Sequence, residues 1–279
     1  MLLSEAQRVL ADFTAQQIAN TLNAMSKLDP FDGHVFELLL SEVQLKVRDL
    51  TAQEISISLN AMSKRRHYDK AVFELLLSEA QLKVRDFSPQ GISNTLHAMA
   101  TVNHNDPAAF MLLLSEAERK VRDFNVQEVA NTLLAIAVSK QYRCSAEIRC
   151  LFEQLCALHG SQCRFSDEIG LRQILQFVQA LAIEQPGFEC TISAEVMAAF
   201  QKAWGSRLKA TKSSGLHLQV SETLAKLNVC HENEGRVGDL SCDIVIPSRA
   251  PHAKAPAVVI EVDGPSHFLR NLPRRPLGT

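Results

Sequence analysis

The sequence holds little glycine (11 residues), little proline (10) and few aromatics (6%), so helix breakers are rare along its 279 residues. It has no run of about 18 apolar residues, and so no stretch able to cross a bilayer as a helix. It has no excess of one charge. The formal net charge is -2, so no bulk field draws the whole chain onto nucleic acid or a membrane, and any nucleic-acid contact must use a local patch. The seven cysteines, at 144, 150, 156, 163, 190, 230 and 242, form no CxxC pair and match no zinc spacing; their odd number argues against a simple disulfide framework. They are expected to be buried or half-buried free thiols in a reducing compartment. Hydrophobic content of 46% and charged content of 22% are ordinary for a globular protein, and the length suits two domains.

What the sequence does have is a period. Asp12-Phe13, Asp49-Leu50, Asp86-Phe87 and Asp123-Phe124 recur at 37 residues, as do Ser4, Ser41, Ser78 and Ser115, and Asp32, Asp69 and Asp106. Each block reads as two helices. The first opens on a capping signal after the Asp-Phe step. Thr14 with Gln17, and Thr51 with Glu54, are capping boxes; Asn125 with Glu128 is a near variant, and Ser88 precedes Pro89 at the first helical position. Helix A then carries Ile18, Leu22 and Met25 on one face, repeated as Ile55, Leu59, Met62 and as Ile92, Leu96, Met99. Helix B opens after Asp32, Asp69 or Asp106 as N-cap, carries Phe36, Leu39, Leu40 and Val43, and closes on Lys46 and Arg48. A two-helix unit cannot bury its apolar face alone, so stacked neighbours must bury it, giving an α-solenoid. Met1 to Glu5 stands in register with Leu38 to Glu42. The first copy is therefore incomplete, no targeting peptide is visible, and a fragment or abbreviated gene model is expected.

The pattern predicts three regions: repeats over 1–140, degenerate helical repeats over 141–210, and a small α/β module over 211–279. The middle region keeps helical periodicity over 145–159, 166–182 and 195–208. In the last, 217–227 reads as an amphipathic helix, 229–234 as a strand, 235–238 as a turn, 240–246 as a second strand and 256–262 as a buried third strand. The fold class is mainly α, a solenoid followed by a small α/β module.

Acidic residues inside an apolar strand cost free energy unless they are paired or hold a cation. In Val258 to Phe268, Glu261 and Asp263 point to one side of the strand and Val262 to the other. Asp243 sits in the preceding strand, and if the two strands pair, Asp243 and Glu261 could meet as a two-carboxylate metal site, with His267 as a further ligand or phosphate contact. The segment from about Ser214 onward resembles the RAP domain of organellar RNA-binding proteins. Leu216-His217, Asp243 and the string Ile260-Glu261-Val262-Asp263-Gly264-Pro265, with His267-Phe268, carry the resemblance. Leu277 to Thr279 resembles the start of that family's next segment, so the module is expected to be truncated. The 37-residue blocks resemble the heptatricopeptide-type and octotricopeptide-like repeats that accompany RAP domains in FAST-kinase-like proteins. The resemblance implies a restriction-endonuclease-like core in which Asp243 and Glu261 match the metal-holding pair. The position of the assisting Lys is occupied by Asp263, which departs from the pattern of cleaving members.

The candidate residues for chemistry are thus Asp243, Glu261, Asp263 and His267, with Asp243 and Glu261 for metal. Those for RNA lie on helix A: Gln16, Asn20, Asn23, Lys27; then Gln53, Asn60, Lys64; then Gln90, Asn94, His97; then Gln127 and Asn131. Amides offer donors and acceptors, so stacked stripes can read single-stranded bases; an ordinary solvated face or an inter-repeat amide ladder has the same pattern. Arg270, Arg274 and Arg275 form an uncompensated basic cluster. Lys46, Lys83 and Lys120, beside Arg48, Arg85 and Arg122, could track a phosphate backbone or serve the helix dipole and pair with Asp49, Asp86 and Asp123. Met1 to Lys140 holds 14 basic and 17 acidic residues, so the repeats are no basic funnel. The expectation is an organellar protein, of mitochondrion or alternatively plastid, that binds single-stranded RNA in processing, stability or translation of rRNA or mRNA, with ribosomal or RNA-processing proteins as partners. No cofactor is expected unless the alternative of a metal-dependent RNA endonuclease holds, with Mg²⁺ or Mn²⁺; a protein-binding scaffold is the other alternative.

Overall fold

The computed structural model describes residues 9–139, 173–175, 177–179, 198, 202, 214–237, 240–248 and 258–262. The chain divides into two compact units, with the repeats in the first and a helix and sheet in the second.

In the first unit the helices alternate A and B: α1 Ala15–Met25, α2 Gly33–Leu45, α3 Ala52–Arg65, α4 Lys70–Leu82, α5 Pro89–Thr101, α6 Pro107–Arg119 and α7 Val126–Ser139. The local signals act as their chemistry requires. Thr14 and Thr51 form complete capping boxes with Gln17 and Glu54, and the Asn125 and Glu128 side chains exchange the same two bonds with the backbone. Asp32, Asp69 and Asp106 each accept backbone N–H groups of the B helix that follows. Each B helix ends in a short 3₁₀ turn, Val47–Asp49, Val84–Asp86 or Val121–Asp123, which redirects the chain into the next repeat.

The core forms between the A and B layers. Phe36, Phe73 and Phe110 on the B helices and Leu22, Leu59 and Leu96 on the A helices are almost fully buried; burying each such side chain stabilises by about 1.5–3 kcal/mol. The A helices make the more extensive contact between repeats. Their flanks are small and recur at the period: Ser58 and Ala61, Thr95 and Ala98, Thr132 and Ala135 are all buried. The three hydroxyls each donate to a carbonyl four residues back, on Glu54, Gly91 and Glu128, so close packing leaves no orphan polar group at these positions. Of the middle region, short helical stretches at 173–175 and 177–179 and single helical residues at 198 and 202 are described, with Ile174, Leu175 and Phe177 buried; the rest of its expected helices lie outside the described residues.

The second unit holds α8 Gly215–Lys226 and a three-stranded antiparallel sheet of order β1-β2-β3. Its strands are β1 Glu232–Val237, β2 Leu240–Ile246 and β3 Val258–Ile260. The sequence pattern placed a turn at 235–238, but β1 runs on to Val237, which pairs with Leu240. Gly235 is there for another reason: a Cβ on it would lie 2.5 Å from Val245 Cγ2, so the glycine serves a close approach across the hairpin. The third strand is also corrected. It ends at Ile260 rather than at 262, and Val258 and Val259 are exposed rather than buried; residues 256 and 257 lie outside the described residues. It pairs with β2, and among the described residues no strand pairs with its other edge.

Candidate functional site

The amide stripe lies on the open side of the A layer. Ile18, Leu22, Ile55, Leu59, Ile92 and Leu96 turn inward, which leaves the polar positions of the same helices facing out. Gln16, Asn20 and Lys27 are exposed and Asn23 half-buried; Gln53 and Lys64 are exposed and Asn60 half-buried. Gln90 is exposed with Asn94 and His97 half-buried, and Gln127 is exposed with Asn131 half-buried. Neighbouring stripes meet: burial, and after it the Lys64 charge from the preceding stripe, push the His97 pKa down. Within the third A helix Thr101 Oγ1 lies 3.4 Å from His97 Nδ1. The fourth stripe is engaged within the protein. Gln127 Nε2 donates to Asn131 Oδ1 at 3.1 Å, and Gln173 Nε2 approaches the same oxygen at 3.4 Å. The face open to a base edge is therefore that of the first three stripes.

The lysine ladder does not track phosphate. Lys46 Nζ donates to the carbonyls of Ala11 and Phe13, Lys83 Nζ to those of Arg48 and Leu50, and Lys120 Nζ to those of Arg85 and Phe87. Each ammonium also pairs with the glutamate four residues back, Glu42, Glu79 or Glu116. Each lysine thus fastens its own repeat to the end of the preceding one, and the expected pairing with Asp49, Asp86 and Asp123 is not what holds it. Glu116, 3% exposed, gathers Arg85, Arg119 and Lys120 within 3.1 Å. The repeats also bury His67, whose pKa burial pushes down, against the partial offset of Glu37 and Asp69.

In the second unit Asp243 and Glu261 enter different contacts. Asp243 Oδ2 accepts the Val262 N–H at 2.6 Å, while Asp243 Oδ1 lies 3.8 Å from His217 Nδ1. Glu261 accepts from the Cys242 thiol, and burial, the Glu261 carboxylate and Asp243 together push that thiol's pKa up. Asp263, His267, Arg270, Arg274 and Arg275 lie outside the described residues. Neither Glu234 nor His217 is among the candidate site residues of the sequence, and Glu234 Oε1 lies 3.4 Å from His217 Nδ1. His217, Glu234 and Asp243 bring their donor atoms within 4.8 Å of one another. The register brackets Glu234 opposite Asp243, since Asn233 pairs with Ile244 and Gly235 with Cys242. Glu234 also holds a left-handed φ of 53°, a conformation costing a non-glycine residue about 1–2 kcal/mol. No local signal marks Glu234: its place opposite Asp243 is set by the hairpin register.

A chain of polar contacts runs behind His217. His231 Nδ1 is 2.8 Å from the Val229 carbonyl, His231 Nε2 is 2.8 Å from Ser221 Oγ, Asn233 Nδ2 donates to Ser221 Oγ at 2.9 Å, and Asn233 Oδ1 is 3.2 Å from His217 Nε2. A carbonyl only accepts, so His231 Nδ1 carries the hydrogen. In the neutral ring Nε2 then accepts from the Ser221 hydroxyl, Ser221 accepts from Asn233, and Asn233 Oδ1 accepts from His217 Nε2–H.

The family model for the RNA-editing substrate-binding complex 6 protein matches residues 1–176, which takes in all the described repeats and stops before the second unit. No curated protein matches the chain.

Proposed function

The chain belongs to the RNA-editing substrate-binding complex 6 protein family, and from that premise we propose that its repeats hold single-stranded RNA as part of an RNA-editing complex. The observation that carries this reading is the open stripe of amides on three consecutive A helices, side by side at one period. Asn20, Asn60 and Asn94 offer a donor and an acceptor each, the requirement for reading an unpaired base. Lys27 and Lys64, both exposed at the stripe's end, supply charge for phosphates. The compartment proposed is the mitochondrion; the plastid finds no support in the family match. Other proteins of such a complex are proposed as partners, and Leu45 and Leu82, exposed at one period on the B layer, suit such a contact. The segment from Ser214 onward is proposed to be a RAP-like module, on the strength of its helix, its hairpin and Asp243 within β2. No helix among the described residues is long and apolar enough to cross a membrane.

The test is a titration of the full chain against single-stranded RNA by fluorescence anisotropy. Asn20→Ala, Asn60→Ala and Asn94→Ala combined should weaken binding roughly 100-fold, at about 1 kcal/mol per lost hydrogen bond. Unchanged affinity in a folded triple variant would remove the stripe from the proposal.

A further inference from the structure

The second unit carries a cluster that RNA binding by the repeats does not use. We propose that His217 Nδ1, Glu234 and Asp243 bind one first-row divalent cation, with Zn²⁺ the best fit, and that the ion ties α8 to the β1–β2 hairpin.

The direction of the hydrogen-bond chain carries the case. His217 Nε2–H is given to Asn233 Oδ1, so in the neutral ring Nδ1 presents a lone pair. That nitrogen accepts no hydrogen bond, and its residue is 1% exposed. It looks at Glu234 Oε1 at 3.4 Å and Asp243 Oδ1 at 3.8 Å. The nitrogen is buried while the two carboxylate side chains are 35% and 30% exposed; a lone pair facing two carboxylate oxygens at this range is repulsive, and a positive charge between the three groups relieves it. Reversing the chain, so that Nδ1 held the hydrogen in a neutral ring, would require His231 to donate from both its nitrogens and so be charged.

Coordination geometry fits. A tetrahedral ion with bonds of about 2.0–2.2 Å holds its donors about 3.3–3.6 Å apart. The two measured separations to His217 stand at or just outside that range, and the whole set lies within 4.8 Å. Asp243 is already oriented, because the Val262 N–H holds Oδ2 and leaves Oδ1 for the ion. Asn233 supplies the outer-shell acceptor that metal-bound imidazoles ordinarily have. One imidazole among the donors favours Zn²⁺ over the oxygen-seeking Mg²⁺ and Ca²⁺. Three protein donors leave the fourth position to water. This set is not the Asp243–Glu261 pair of the family resemblance, since Glu261 is engaged with the Cys242 thiol.

The test uses the full chain stripped by a chelator and titrated with Co²⁺, whose visible spectrum reports its ligands. One tightly bound Co²⁺ is expected, with tetrahedral-type bands, no thiolate charge-transfer band, and displacement by Zn²⁺. Glu234→Gln and Asp243→Asn should each weaken binding at least 10-fold, and Asn233→Ala 10- to 100-fold as an outer-shell change. His217 is buried and its replacement can unfold the unit, so Glu234→Gln, at an exposed side chain, is the deciding variant, with folding checked by circular dichroism. Three outcomes overturn the proposal: no Co²⁺ uptake by the stripped protein, a spectrum dominated by thiolate ligation, or unchanged affinity in both folded carboxylate variants.

Discussion

A lysine is ordinarily a solvated cation on a flexible stem, yet Lys83 is held at three points: the carbonyls of Arg48 and Leu50 and the carboxylate of Glu79 at 2.8 Å. The two carbonyls end the preceding repeat, so the ammonium completes hydrogen bonding that the turn between repeats leaves open. A bond to a charged donor is worth about 1.5–3 kcal/mol net, and the partial exposure of the site places the total near the lower end of that range. Lys83→Met keeps most of the stem and removes the charge. It should lower stability by about 2 kcal/mol, read as a lower urea midpoint for the repeats. Lys64→Met, at an exposed side chain, should stay within about 0.5 kcal/mol of the parent. Equal effects in the two variants would mean that the lysine staple contributes nothing beyond an ordinary surface charge.

At the scale of elements, the hairpin depends on an absence of side chain. Gly235 stands opposite Cys242, and a Cβ there would meet Val245 Cγ2 at 2.5 Å and Val245 Cβ at 2.8 Å. Gly235→Ala must therefore push β1 from β2, at a cost of about 1–3 kcal/mol, and hydrogen exchange at the β2 amides should speed up. Adding Val245→Ala removes the nearer clash and leaves the second, so protection should return only in part. Exchange unchanged by Gly235→Ala would show that the strands tolerate the extra atom. The same glycine shows which elements were legible. Capping boxes, Asp N-caps and the Ile-Leu-Met faces are local, spanning three to seven residues, and they stand where the sequence pattern put them. The sequence pattern reads Gly235 as part of a turn, because a glycine for a bend and a glycine for close approach look alike until the opposite strand is known. The Val258–Ile260 run reads as buried from its hydropathy, yet Val258 and Val259 are exposed, because hydropathy does not say which side chains of a strand find cover. The lysine staple joins residues 33 and 35 apart in sequence, and His217 meets Glu234 and Asp243 only after the helix and the hairpin have packed. Such contacts belong to tertiary structure, and no local spacing encodes them.

At the scale of the whole molecule, charge decides what kind of RNA binding is available. Met1 to Lys140 carries 14 basic and 17 acidic residues, and Lys46, Lys83 and Lys120 are spent on backbone carbonyls. Arg85 is tied to Glu116. Near the stripe this leaves chiefly Lys27 and Lys64 exposed. Two neutralised phosphates on a single strand give a slope of log affinity against log salt of about -1.4. Most of the affinity must then come from contacts to bases, which salt does not screen. Anisotropy titrations across a series of KCl concentrations should accordingly give a shallow line. The asparagine triple variant should lower that line without tilting it, whereas Lys27→Ala with Lys64→Ala should flatten it. A slope near -4 would require about six phosphates, more than the described face can neutralise. That result would move the RNA from the amide stripe to a basic surface elsewhere in the chain, with Arg270, Arg274 and Arg275 the first residues to replace.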